Sequence, residues 1–285
     1  ARITAAFERI SNSCRMVTTS SIAARRALVT GATGFAGLQL VRELGRAGWH
    51  ILSLRTSTSR EDRVAALEAV GSEVVPTPPD TDSWIEAIAR WRPDVTFHLA
   101  SFFCGEHGAR DVVPLIETNL LLGTQLLEAL RVNNAGAIVV AGSAWEHHEN
   151  RTYSPVSLYA ASKAALQAML AWYVEVGGVR AVTLDLTDMY GPEDPRRKLL
   201  TALMEAALLG STVQMNAGEP YMDLLYVKDA ARALAHAGER VRALASGQQE
   251  RCSVRPDGPR TLRSLVSLAS RCSRLALLCA SDTTK

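Results

Sequence analysis

The stretch Leu28-Val-Thr-Gly-Ala-Thr-Gly-Phe-Ala-Gly37 decides how the rest of the chain is read. It begins as a short apolar strand and places glycines at 31, 34 and 37, at the passage into an amphipathic helical pattern. A tight turn, a close backbone approach to a pyrophosphate and a small residue where helix meets strand each call for one of these glycines. Phosphates then meet the free N–H groups of the helix N-terminus. A glycine triplet alone is a weak signal, and its place on the first strand of an alternating pattern is what gives it weight. Gly31, Thr33, Gly34, Phe35 and Gly37 are therefore the expected phosphate and cofactor contacts.

Outward from that loop, apolar runs of four to eight residues alternate with helical segments. Strands are expected at Ala27–Thr30, Ile51–Leu54, Glu73–Val75, Val95–Leu99, Ala137–Ala141 and Ala181–Leu186. The helices between them are expected at 35–47, 62–70, 83–90, 114–131 and 157–176. This alternation is the sequence form of βαβ units and a parallel sheet. The expected fold class is α/β: a Rossmann-type doubly wound parallel sheet with a small C-terminal substrate lobe. The dinucleotide-binding domain is expected over 25–186 with a returning segment at about 222–250. The lobe is expected over 187–221 and 251–285, laid over the carboxyl edge of the sheet and truncated-looking at its end. Residues 1–24, rich in Ser and Thr with Arg2, Arg9 and Arg15, are read as a flexible leader. A transit peptide is the alternative, opposed by Glu8 and the missing apolar periodicity.

Composition removes whole classes. The 285 residues are 47% hydrophobic, with mean hydropathy +0.04, which excludes disorder as the main state. A net charge of +2 gives no whole-chain footprint for nucleic acid or an anionic membrane, and no apolar run is long enough to span a bilayer. Cys14, Cys104, Cys252, Cys272 and Cys279 form no C-x-x-C pair, which fits a reduced, cytoplasmic protein without a structural zinc site. His147 and His148 are adjacent, so regular backbone would point them apart, and no metal site is expected. Cys104 is read as a packed thiol rather than a nucleophile.

The end of the second strand bears on which dinucleotide fits. It reads Leu52-Ser-Leu-Arg55, then Thr56 to Arg60, with no carboxylate before Glu61. An acidic residue there would bind a ribose 2′-hydroxyl, whereas a guanidinium with hydroxyls suits a 2′-phosphate. NADP is expected over NAD, with Arg55 as the contact.

Tyr159-Ala-Ala-Ser-Lys163 opens the helix after the fifth strand. Residues four apart share a helix face, so the phenol and the ammonium should project into one site. A cation about 4 Å away at an effective dielectric near 20 is worth roughly 4 kcal/mol. That would lower a phenol of ordinary pKa near 10 toward neutrality, as general acid–base work requires. Ser143 ends the fifth strand at the same edge, where its hydroxyl could hold a substrate oxygen.

These pieces together resemble the extended short-chain dehydrogenase/reductase superfamily, in its NAD-dependent epimerase/dehydratase branch acting on nucleotide sugars. The resemblance runs from Arg25 to about Leu268. It is carried by the glycine loop, His98-Leu-Ala-Ser101, Asn119 with Gly123-Thr and Leu126-Leu-Glu-Ala129, Ser143, Tyr159 with Lys163, Tyr190-Gly-Pro192, and Met222-Asp-Leu-Leu-Tyr-Val-Lys-Asp229.

What the resemblance implies is a Ser143/Tyr159/Lys163 triad beside a nicotinamide, with Asn119 supporting it. Leu99, Ala100 and Ser101 join the cofactor contacts, and Tyr190, Arg196 and Arg197 join Ser143 as substrate contacts. A nucleotide-sugar substrate follows, as does a homodimer, which is typical of that family. Dehydratases of this branch carry Asp-Glu directly after the catalytic Ser or Thr; Ala144 and Trp145 stand here, which argues against 4,6-dehydration. The third-strand end has Thr77-Pro78 where the family usually has Gly-Asp. The reading is NADPH-dependent reduction of a nucleotide-linked 4-keto-6-deoxyhexose with Tyr159 as general acid. The alternatives are a nucleotide-sugar epimerase with bound NAD, and a catalytically idle dinucleotide-binding regulator.

Overall fold

A computed structural model describes residues 25–147, 151–152, 154–196, 198–209, 221–255, 258, 260–261 and 263–265. The leader at 1–24, His148, Arg197 and the C-terminal tail fall outside the described residues.

Seven parallel strands form one sheet. In chain order they are β1 (Arg26–Thr30), β2 (His50–Arg55), β3 (Glu73–Pro76), β4 (Val95–His98), β5 (Ala137–Ser143), β6 (Arg180–Leu186) and β10 (Gln249–Val254). Across the sheet the order is β10-β6-β5-β4-β1-β2-β3. The first five connections run through helices: α1 (Phe35–Arg46), α2 (Glu61–Glu68), α3 (Thr81–Trp91), the pair α4 (Val112–Ile116) and α5 (Leu122–Val132), then α6 (Leu158–Glu175). Strand order reverses between β1 and β4, the switch point at which such sheets open a crevice at their carboxyl ends. Thr30 pairs with His98 in the register there, so the turns after β1 and β4 lie side by side.

Each face of the sheet is covered, which is why its strands read as nearly continuous apolar runs. On one face Leu38, Leu40, Val41 and Leu44 of α1 pack with Leu234 and Val241 of α8 (Val227–Arg242). On the other, Trp84 and Ile88 of α3 pack with Leu126 and Leu130 of α5 and Leu166 and Leu170 of α6. The remaining pieces are short: β7 (Asp188–Tyr190) pairs in parallel with β9 (Leu224–Tyr226), β8 (Tyr221–Met222) runs antiparallel to β11 (Arg260–Thr261), and α7 covers Leu199–Leu209.

Two elements differ from the sequence reading. The segment expected as one helix over 114–131 is broken by a single π-helical turn, Glu117–Leu121, between α4 and α5. Also, Gln249-Glu-Arg-Cys-Ser-Val254 forms the edge strand β10, paired with β6 from Gln249↔Ala181 to Val254↔Leu186. The returning segment therefore reaches Val254. Among the described residues, no helix is long and apolar enough to cross a membrane.

Candidate active site

The glycine turn is built into its neighbours. Gly31 has φ +67°, and a Cβ there would stand 2.6 Å from the Ala100 nitrogen. A Cβ on Gly37 would stand 2.1 Å from the Gly31 carbonyl oxygen. Neither backbone atom can swing aside, so glycine is required at both positions. The α1 N-terminus carries Gly34 at its cap position, makes no side-chain cap bond and has no acid in its first turn. Uncapped amide N–H groups at the positive end of a twelve-residue helix fit a pyrophosphate, so the residues present suit a dinucleotide.

Around that turn, Thr33 Oγ1 lies 3.1 Å from Ser59 Oγ in the loop after β2. Arg55 ends β2 and faces Glu61 at 3.4 Å, a carboxylate that is 83% exposed. The backbone N–H of Ala100 donates to Thr30 Oγ1 at 3.2 Å, and that hydroxyl also meets His98 Nδ1 at 2.9 Å. His98 is fully buried, and burial, helped by the Lys163 charge, lowers it to about 3, so the ring is neutral. The sequence-expected cofactor contacts after β1, β2 and β4 thus share the crevice edge.

Ser143, Tyr159 and Lys163 are brought together. Ser143 ends β5, Tyr159 stands in the first turn of α6, and Lys163 follows one turn later, both held by a helix that Ser157 caps at 3.2 Å through the Ala160 N–H. The Ser101 and Ser143 hydroxyls both act to lower the Tyr159 phenol. Phe103 packs edge-on against the Tyr159 ring at 5.0 Å, and Trp145 against the same ring at 6.4 Å. Phe103 and Trp145 also pack on each other at 5.6 Å, so the three rings form one cluster.

One expectation is corrected. Spacing alone predicted that Lys163 would lower the phenol; instead Tyr159 lies above its ordinary value, because burial outweighs the lowering from Ser101, Ser143 and Arg196, and the Glu146 charge adds to the rise. Lys163 is itself buried, and its ammonium donates to the Ala141 carbonyl at 3.0 Å. Burial lowers it to about 8, opposed by Glu146. A phenol in this state is a proton donor at neutral pH.

Asn119 sits inside the π turn, buried, and works on the loop after β4 rather than on the phenol. Its Oδ1 accepts from the Phe102 N–H at 2.7 Å and the Ser101 hydroxyl at 3.2 Å. Its Nδ2 donates to the Phe102 carbonyl and to Ser162 Oγ, each at 3.0 Å. It therefore fixes the backbone that presents Ser101 and Phe103 to Tyr159.

The expected substrate contacts are less gathered. Tyr190 pairs with Tyr226 at 5.5 Å. Arg196 is held by Asp194 at 2.7 Å and lies 4.9 Å over the Phe35 ring, close to the glycine turn. Arg197 falls outside the described residues. Lys198 pairs with Asp188 and stands 5.2 Å over Phe103. For Cys104, burial and Asp111 raise the thiol, the opposite of what a nucleophile requires.

Sequence reasoning missed Glu146. It turns back from the short helical turn after β5, accepts the Ser143 N–H at 2.8 Å and pairs with Arg251 of β10 at 2.7 Å. Arg251 also binds Asp185 of β6 at 2.8 Å. The only sequence signal was an acid three residues beyond Ser143.

Fold and site together define an enzyme of the extended short-chain dehydrogenase/reductase type. The profile of the NAD dependent epimerase/dehydratase family matches residues 27–250, and the chain belongs to that family. It is 24% identical over 210 residues to CDP-abequose synthase of Yersinia pseudotuberculosis, covering 73% of this chain and 71% of that protein. It is 28% identical to UDP-glucose 4-epimerase of Mycolicibacterium smegmatis, covering 75% and 73% of the two chains. Among solved structures, UDP-glucose 4-epimerase of Thermus thermophilus in complex with NAD superposes with a TM-score of 0.72 at 26% identity, over 89% of this chain and 85% of that one.

Proposed function

We propose that this protein is a cytoplasmic NADPH-dependent reductase of a nucleotide-linked keto sugar, of the 4-keto-6-deoxyhexose type. The observation that carries the reading is the β2 terminus: Arg55 is paired there through an exposed carboxylate at 3.4 Å. A surface pair of that kind is worth little, so a dianionic 2′-phosphate competes for the guanidinium. The raised phenol adds support, because reduction of a ketone needs a proton donor. Similarity to CDP-abequose synthase agrees with a sugar-directed activity.

A bound dihydronicotinamide would supply the hydride to the ketone carbon. The residues of this chain do the rest. Tyr159 Oη–H donates the proton to the ketone oxygen, which becomes the carbinol hydroxyl. The Ser143 hydroxyl orients that oxygen, and the Lys163 ammonium beside the Ala141 carbonyl holds the cofactor ribose. Gly31, Thr33, Gly34, Phe35 and Gly37 hold the pyrophosphate, Leu99, Ala100 and Ser101 border it, and Arg55 takes the 2′-phosphate. The substrate lobe is assigned to 187–221 and 251–285, with Tyr190 and Arg196 meeting the nucleotide sugar; Arg197, 210–220 and 266–285 lie outside the described residues and are assigned there by sequence alone.

The second reading is an epimerase that keeps its NAD, favoured by similarity to two UDP-glucose 4-epimerases. Absorbance at the reduced-nicotinamide band separates the two across a panel of nucleotide 4-keto-6-deoxyhexoses. Reduction predicts absorbance loss, faster with NADPH than with NADH. NAD carried through purification, with no loss on any ketone, refutes the reductase.

A further inference from the structure

Beneath the Tyr159 corner lies a set of charges that the proposed reaction does not itself use. Glu146 has no exposed side-chain surface, and Asp185 is 8% exposed. Arg251 joins them, reaching Glu146 Oε2 at 2.7 Å and the two Asp185 oxygens at 2.8 and 2.9 Å. Buried carboxylates survive only when paired and hydrogen-bonded. Gly142 lets them approach the β5 backbone: a Cβ there would stand 2.3 Å from Asp185 Oδ1 and 3.4 Å from Glu146 Oε1. The other Glu146 bond goes to the Ser143 N–H, and the Ser143 hydroxyl acts on the Tyr159 phenol. Arg251, Glu146 and Ser143 thus form one continuous chain of hydrogen bonds leading to the residue that acts on the Tyr159 phenol.

We propose that Glu146 is a positioning residue of this site: tethered by Arg251, it fixes Ser143 against Tyr159 and sets a negative charge behind the phenol that favours proton donation over proton abstraction. The inference rests on the reading of Tyr159 as the proton-transferring group.

The charged and polar neighbours are accounted for on every side. Acting on Tyr159 are Ser101 from the loop after β4, Ser143 from β5, and the charges of Glu146 from the turn beyond it and of Arg196 from the loop before α7. Glu146 meets Arg251 from β10 and acts on Lys163 of α6. Lys163 in turn faces His98 of β4, which stays neutral. Within the set, Glu146 and Asp185 balance Arg251 and Lys163. The negative charge of Glu146 disfavours the phenolate that an oxidation or the first half of an epimerisation would need. The same charge supports the protonated Lys163 against burial. The protonation state of the phenol is therefore set in part by a residue of the turn behind it.

The test is Glu146→Gln, which keeps an oxygen for the Ser143 N–H and removes the charge. Full-length protein labelled with 13Cζ-tyrosine is titrated by NMR without cofactor or substrate, and Tyr159→Phe assigns the signal. The Tyr159 midpoint moves to lower pH in Glu146→Gln while the other tyrosines stay in place. In the active enzyme, the high-pH limb of kcat/KM for reduction moves the same way. An unchanged midpoint in a variant with native near-UV circular dichroism overturns the proposal. Arg251→Lys is the second variant: it keeps a cation beside Glu146 and Asp185, so the midpoint stays at the wild-type value, and a shift as large as that of Glu146→Gln overturns the proposal. Because the titration needs no substrate, a missing reductase activity would sink the functional reading while leaving this one to stand or fall by itself.

Discussion

Asn119→Ala removes a side chain whose four hydrogen bonds hold the loop after β4. The lengths are 2.7 Å to the Phe102 N–H, 3.0 Å to its carbonyl, 3.0 Å to Ser162 Oγ and 3.2 Å to the Ser101 hydroxyl. At about 1 kcal/mol net for each bond the gross loss is about 4 kcal/mol. Water can reach the exposed Ser101 side of the loop and recover part of that, leaving about 2–4 kcal/mol. A domain stable by about 5–15 kcal/mol survives the loss folded. Activity should suffer separately, because Ser101 and Phe103 lose the backbone that sets them against Tyr159. A displacement of about 1 Å at such a site can cost about 100-fold in rate. Urea unfolding gives the first number, and NADPH oxidation on the keto-sugar panel gives the second. Asn119→Asp, whose second oxygen would face the Phe102 carbonyl as a buried unpaired carboxylate, should be no more stable than alanine at pH 7. An Asn119→Ala stability within about 0.5 kcal/mol of wild type would refute the tether. Lost turnover at unchanged stability would refute it too, since Asn119 would then act on the reacting groups directly.

Four further outcomes follow from the same geometry. Tyr159→Phe should abolish turnover while NADPH binding, followed by fluorescence, stays near wild type; retained turnover removes the phenol from the acid role. Arg55→Asp should weaken NADPH far more than NADH in the same titration, and an unaltered ratio ends the 2′-phosphate assignment. Lys163 is lowered to about 8 in the folded chain against 10.5 for a free side chain, so the unfolded chain binds more protons between those values and stability rises with pH across that window. The penalty is fully present below pH 8 and amounts to about 3 kcal/mol; Lys163→Met should therefore be inactive yet about 2 kcal/mol more stable at pH 7 once the Ala141 hydrogen bond is subtracted, and a less stable variant contradicts this. For His98, the folded value of about 3 lies below the ordinary 6.5, so stability is lost as pH falls through that interval, by up to about 5 kcal/mol. Acid unfolding of His98→Gln should lack that slope; an unchanged slope refutes the assignment.

The sequence carried the sheet and the glycine turn because both are local. Gly31 and Gly37 are dictated by backbone atoms within the turn and its neighbour, and buried parallel strands announce themselves as apolar runs. The π turn at Glu117–Leu121 was illegible, since one extra residue in a helical ring leaves the apolar pattern over 112–132 almost intact. The edge strand β10 hid for another reason: one of its sides has no neighbouring strand among the described residues, so Gln249, Arg251, Cys252 and Ser253 are exposed and the run shows no apolar alternation. The Tyr159–Lys163 spacing did place two groups on one helix face. It could not say that the ammonium would turn to Ala141, a carbonyl 22 residues earlier in the chain. Glu146 was invisible because its partner lies 105 residues away.

That last separation explains an otherwise odd feature of β10. An outermost strand gains little by being polar unless its side chains are needed, and Arg251 is needed at one register position, opposite Thr183 of β6. From there the guanidinium reaches Asp185 of β6 and, beyond it, Glu146. Without it, Asp185 and Glu146 would face each other across the Gly142 backbone as two buried anions, an arrangement whose desolvation cost the fold could not offset. The seventh strand therefore does more than extend the sheet. It delivers the charge that lets an acid sit behind Ser143, and so links the outer edge of the sheet to the protonation of the phenol at its centre.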